Sequence, residues 1–300
     1  MGELLAVASC LLFAVNVLVI GPASRRIPQD LGFLLALTSN VVVAAVVVAV
    51  QYVVSSPGPV EWDALGLFAL GGLLTSYLGR WFFMRSVTTI GPTRASALQS
   101  TNPVFTGVAA WILLGETLPP EAILCGLMVL VGLYLTSRRT VSARSVGTDR
   151  MGSRSIPLTE IGLSLLGAAA YGLGNVARGA GVRDWEAPIV GGLTGAAAGL
   201  LLYAVANTDL RKLPSALRGS DPVGRRLWLF AGALTIGAQT CLIAASLYIP
   251  VAIGVVISSA VPLVVLPVSV LFFRRTEAVG PVTALGALFI LAGVAGLVLT

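Results

Sequence analysis

Two stretches of this chain repeat one another at a separation of 159 residues, and that repetition limits the possible folds more than any other feature. Residues 91–116 read GPTRASALQSTNPVFTGVAAWILLGE, and residues 250–277 read PVAIGVVISSAVPLVVLPVSVLFFRRTE. At a helical rise of about 1.5 Å per residue, each is long enough to cross a hydrocarbon core of about 30 Å. Each also carries a polar cluster shortly before an internal proline and ends at a glutamate. Superposed, Ser96, Gln99, Ser100 and Pro103 fall on Val255, Ser258, Ser259 and Pro262. That spacing, i, i+3, i+4, i+7, is one face of a helix, so each copy carries its polar atoms on a single stripe.

Composition agrees with a membrane setting. Of 300 residues 56% are hydrophobic and 11% charged, which leaves too little polar surface to enclose the chain in water. The net charge of +6 does not indicate nucleic acid, because the arginines sit in short turns between apolar runs. With no histidine, a histidine proton relay and a histidine metal site are excluded. Cys10, Cys125 and Cys241 fall within apolar runs without CxxC spacing and are expected to be small packing thiols. No metal and no cofactor are expected.

The apolar runs cover residues 4–20, 31–54, 62–83, 91–114 and 121–136, then 158–177, 187–206, 227–247, 250–273 and 279–299. The first has no basic segment before it and a poor cleavage site after it, so it is read as a retained span and not a signal peptide. Between the two sets, residues 138–157 exchange aliphatics for arginine, serine, glycine and aspartate, which predicts a solvated linker. The expected fold is an all-α integral membrane protein with ten transmembrane helices in two inverted five-helix repeats, 1–137 and 158–300, joined by the linker 138–157. Seventeen of the nineteen basic residues lie on one face of that arrangement, with only Arg178 and Arg183 on the other. The bias places the linker in the cytoplasm and both termini outside, in a multi-pass protein of the plasma membrane.

Further pairs obey the same shift. Asn16 corresponds to Asn175, Ser76 to Thr235 and Arg80 to Gln239. Equivalent positions of an inverted repeat face one another near the bilayer midplane, so these pairs are expected to converge on one cavity.

Ten spans in two halves, a proline-bearing fourth span ending in LLGE at Glu116, and a fifth span with Gly126 and Gly132 resemble the EamA-type transporters of the drug/metabolite transporter superfamily. The second half repeats the pattern more loosely through Pro262, Glu277, Gly286 and Gly293. The resemblance implies a basket of helices around a central cavity, alternating access, and cargo such as amino acids, other metabolites, nucleotide sugars, sugar phosphates or drugs. The related small multidrug resistance proteins carry a proton-exchanging glutamate in their first helix, whereas the first span here offers only Asn16. No acid lies at mid-depth in any span, so proton-for-cation exchange through a membrane carboxylate is not expected.

The residues available to hold a substrate are Asn16, Ser76, Tyr77, Arg80, Trp81, Ser96, Gln99, Ser100, Asn102, Asn175, Arg178, Gln239, Ser258 and Ser259. The structural alternative is that the hydroxyls bond their own helix carbonyls and the amides join helices. Arg80 and Arg178 either snorkel to an interface or present a cation to an anionic group. Pro103 and Pro262 bend or hinge their helices, Gly195 and Gly199 provide a close-packing step, and the valines of residues 41–54 form a lipid-facing wall.

An intramembrane enzyme needs a nucleophile with a base, paired acids or metal ligands, and the chain supplies none of these sets. The expected function is therefore a secondary transporter of a small polar metabolite, amino acid-like or weakly anionic. A drug or cation exporter and a non-transporting scaffold or receptor are the alternatives. A small-molecule substrate and membrane lipid are the expected partners, nucleic acid is not, and a monomer is the expected state.

Overall fold

The structure is a computed structural model that describes residues 1–54, 59–90, 95, 98–140, 158–206, 217, 219–273 and 281–299. Among these residues all regular structure is helical. The helices are α1 (Gly2–Ala23), α2 (Gln29–Val54), α3 (Trp62–Gly72), α4 (Arg80–Ile90), α5 (Asn102–Leu114), α6 (Pro120–Thr140), α7 (Leu158–Asp184), α8 (Pro188–Ala206), α9 (Pro222–Ala245), α10 (Val251–Ser258), α11 (Pro262–Phe273) and α12 (Pro281–Leu299). Among the described residues, six segments are long and apolar enough to cross a membrane: α1, α2, α8, α9, α12 and the stretch Val251–Val268; α5 and Pro120–Thr136 are shorter apolar helices.

The prolines act differently from the expected mid-helix bend. Pro103 occupies the first turn of α5, and Pro262 opens α11 after a turn at residues 259–261, so both break the helix and start a new one. Proline is suited to that first turn because its missing N–H has no intrahelical acceptor there and its φ is already helical. The two copies thus share a broken helix at equivalent positions.

The element pairings also respect the repeat. The first span of one half lies against the third of the other: α1 packs along α9, and α7 packs along α3 and its continuation. Likewise α5 packs on α7 as α10 packs on α1, while α2 meets α8 and α6 meets α12. In lipid these contacts gain little from the hydrophobic effect and depend on close backbone approach. Glycine provides it. A Cβ at Gly72 would collide with the backbone of Gly195, one at Gly199 would lie 2.7 Å from the Cβ of Ser76, and one at Gly132 would lie 2.5 Å from the carbonyl of Gly286.

Two aromatic plugs mark the ends of the bundle. Phe68 is fully buried with Ala64, Val182 and Trp185 at one end, and Trp228 with Ala23 and Ile27 at the other. Val42, Val46, Val50, Val53 and Val54 are exposed as the lipid-facing wall predicts. Val41 and Val43 depart from it and pack against Ala44, Ala196 and Ile236, because a helix of 26 residues in a bundle must turn part of its surface inward.

A polar cavity between the repeats

α3 does not stop at Gly72. It continues through a π-helical stretch, Leu73–Gly79, before α-helical geometry resumes at Arg80. A π segment inserts extra backbone per turn and shifts the direction of every later side chain, a device common at functional sites. Here it precedes Arg80 and contains Thr75 and Ser76, and all three line a cavity of about 210 Å³. Gly79 closes the stretch with its Cα against Tyr171 of α7, where a Cβ would lie 2.6 Å from the ring.

The cavity is bounded by α1, α2, the π segment, α7 and α9, with Asn16, Asn40, Thr235 and Gln239 supplying further polar atoms. Arg80 places its Cζ 3.3 Å from the centroid of Phe33, whose ring meets Tyr203 edge-on at 5.3 Å. A guanidinium over an aromatic face is stabilised without its charge being neutralised. No ion pair to Arg80 or Arg178 occurs among the described residues.

Asn16 has the helix-joining role. Its Nδ2 donates to the carbonyl of Ala231 at 2.5 Å and to Thr235 Oγ1 at 2.9 Å, and that hydroxyl in turn donates to Ala231 at 2.8 Å. Ser258 is tied to Ser9 across α1 and α10 at 2.9 Å, and Ser259 donates to the carbonyl of Val255 at 2.7 Å. Asn102 accepts from Thr106. Of these, Ser258 ties α10 to α1, whereas the bonds of Ser259 and Asn102 stay within their own turns.

Other candidates separate from the cavity. Trp81 is 46% exposed, with Phe82 against its edge and Arg85 above it at 5.6 Å. Its ring is on the outside of the bundle, since it follows Arg80 by one residue and so points about 100° away. Gln99 approaches α7 at Gly167, where its Oε1 would be 3.5 Å from an added Cβ. Tyr77 and Ser100 are half-buried and border none of the described cavities, and Ser96 lies outside the described residues.

Arg178, by contrast, is 4% exposed, and its Nε and Nη2 have no hydrogen-bond partner. It borders a small void of about 10 Å³ together with Asn175, Gln239 and Ser246. Gln239 lines both this void and the larger cavity, and its Oε1 is also unpartnered. A charged side chain taken out of water without a partner is costly wherever it lies, so this buried cation is not explained by packing alone.

Glu116 is the residue whose role was least visible in sequence, where it reads only as the end of the LLGE stretch. Gly115 ends α5 with φ +65°, a left-handed conformation that glycine adopts without strain, and this turns Glu116 back toward the bundle. Its side chain is only 7% exposed. Oε1 pairs with Arg183 Nη2 and accepts the backbone N–H of Val251 at 3.0 Å, while Arg183 Nε reaches the carbonyl of Ser246 at 3.4 Å. The end of α5, the end of α7 and the start of α10 are thereby joined. At the opposite end of the bundle, Arg26 pairs with Asp221 at 2.9 Å, and Asp221 caps α9 through the N–H groups of Val223 and Gly224.

A bundle of apolar spans in two matching halves, with broken helices and a partly polar cavity lined by residues of both halves, defines a multi-pass integral membrane protein of the transporter class. The profile of the EamA-like transporter family matches residues 1–138 and 158–299, and the chain belongs to that family. The family consists of membrane transporters and not enzymes. A solved structure described only as the crystal structure of a protein is similar at 19% identity and a TM-score of 0.73, covering 99% of this chain and 96% of that one. No curated protein matches the chain.

Proposed function

We propose that this chain is a secondary transporter that moves a small polar metabolite, amino acid-like or weakly anionic, across the plasma membrane by alternating access. In this reading ten spans form two inverted repeats, and residues 138–157 are a cytoplasmic linker with both termini outside. The observation that carries it is the charge of the 210 Å³ cavity: Arg80 is its one charged lining residue, no carboxylate lines it, and the hydroxyls and amides of Asn16, Asn40, Thr75, Ser76, Thr235 and Gln239 share its wall with apolar side chains. Hydroxyls and amides replace the water of a polar solute, and a guanidinium attracts an anionic group while repelling a lipophilic cation. A drug or cation exporter fits such a wall poorly. With no acid in the chamber to gain and lose a proton, facilitated diffusion or exchange is the mode the site supports.

The test is uptake by the purified full chain in sealed vesicles, after a thermal-stabilisation screen of amino acids, dicarboxylates, phosphorylated metabolites and organic cations. Stabilisation and saturable uptake of a zwitterion or anion support the proposal. Binding of cations alone contradicts it.

A further inference from the structure

We propose that Arg178, Asn175 and Gln239 form a second anion site, which receives the carboxylate of the transported solute when the Glu116 end of the bundle opens. The inference rests on the transporter reading above and adds to it a division of labour between two arginines, one for each half of the access cycle.

Arg178 is built into the fold at depth. A Cβ at Gly71 would lie 2.6 Å from Arg178 Cγ, and one at Gly195 would lie 3.1 Å from Nη2. Two glycines from two helices thus make room for a side chain that has no route to snorkel to an interface. The unpartnered atoms are Nε and Nη2, the side-on edge of a guanidinium that takes a carboxylate with two parallel hydrogen bonds. Gln239 Oε1, an unpartnered acceptor, borders the same void, yet it and Arg178 do not bond each other. Two residues that border one small void and keep unsatisfied polar atoms, donors on Arg178 and an acceptor on Gln239, fit a site closed upon itself without its ligand.

The two arginines lie on opposite sides of Gln239. Arg80 is in the chamber nearer the Arg26–Asp221 end, and Arg178 is in the void nearer Glu116. The void of about 10 Å³ holds at most about one water, so a solute reaches Arg178 only if the Glu116, Arg183 and Val251 contacts part. An anionic group held first at Arg80 and then at Arg178 never has to cross the midplane without a counter-charge.

Radiolabelled L-serine and succinate, bound to the detergent-purified full chain, are the probes. In the wild-type background Arg80→Gln is expected to lower affinity about tenfold or more, and Arg178→Gln less than about threefold, because the second site is shut. In a Glu116→Ala background, which loses both the Arg183 pair and the Val251 hydrogen bond, Arg178→Gln is expected to cost about tenfold as well. Arg178→Lys, which keeps the charge but not the paired donors, should fall between, and this separates a binding role from a folding defect. L-serinamide, which lacks the carboxylate, should be insensitive to both arginines. If Arg178→Gln has no effect in either background while Arg80→Gln does, the second site is wrong and the transporter reading stands. If wild-type protein binds neither L-serine nor succinate but binds an organic cation, both fall.

Discussion

Glu116 Oε1 accepts the backbone N–H of Val251 at 3.0 Å across a separation of 135 residues, tying the last residue of the LLGE stretch in one repeat to the first turn of α10 in the other. A carboxylate at a helix N-terminus satisfies an N–H that has no intrahelical acceptor and meets the positive end of the helix dipole. The same oxygen pairs with Arg183, so one atom holds three elements at one end of the bundle.

Glu116→Ala should therefore destabilise the protein more than Glu116→Gln, which can still accept from Val251. The expected difference is about 1–2 kcal/mol, the worth of a hydrogen bond at a buried site. Thermal unfolding of the two variants in detergent checks it, and equal losses would show that the Val251 bond contributes nothing.

The close approach of α3 and α8 gives a prediction with an internal control. Gly72→Ala pushes a methyl into the backbone of Gly195, whereas Gly66→Ala on the same helix meets nothing within 4 Å. The first should cost about 1–3 kcal/mol as an overpacked contact. The second should be neutral or stabilising by up to about 1 kcal/mol, since alanine is the better helix former. Similar melting temperatures for the two variants would contradict the packing.

At the opposite end, pH enters through Asp221. The hydrogen bond from Arg26, together with the backbone N–H groups of Gly224 and Val223, holds its carboxyl below the ordinary value of 3.8. A carboxyl whose folded value is depressed stabilises the fold above its ordinary value, and that contribution is lost as pH falls through the folded value. Asp221→Asn should therefore lower the melting temperature at neutral pH, and the gap to wild type should close as pH drops below about 4. A gap that stays constant down to pH 2 would assign the effect to the cap alone.

Much of this was legible in the chain. The 159-residue shift, the polar pairs and the apolar runs follow from helical periodicity and membrane thickness; of the paired residues, Ser76, Thr235, Arg80, Gln239 and Asn16 line one cavity, whereas Asn175 borders the small void beside it. What remained hidden depends on backbone geometry. The π stretch at Leu73–Gly79 has no composition that distinguishes it from ordinary helix. Trp81 follows Arg80 within one α-helix and is 46% exposed, on the outer side of the bundle. Phe33, Asn40 and Tyr171 line the cavity without partners in the repeat pattern, and only the tertiary packing brings them there. Pro103 and Pro262 were visible as breaks, yet spacing alone does not separate a bend from a restart. The role of Glu116 stayed hidden because its inward turn is set by the left-handed Gly115.

The central claim is that Arg80 presents its charge to an anionic group of the transported solute. The most direct test is vesicle uptake of L-serine and succinate by Arg80→Gln beside Val46→Gln, a change on the exposed face of α2 where the wild-type valine is 57% accessible. The account predicts that Arg80→Gln lowers uptake of both solutes about tenfold or more while the protein remains folded, and that Val46→Gln transports within about twofold of wild type. Unchanged uptake by Arg80→Gln together with loss of uptake in Val46→Gln would contradict it.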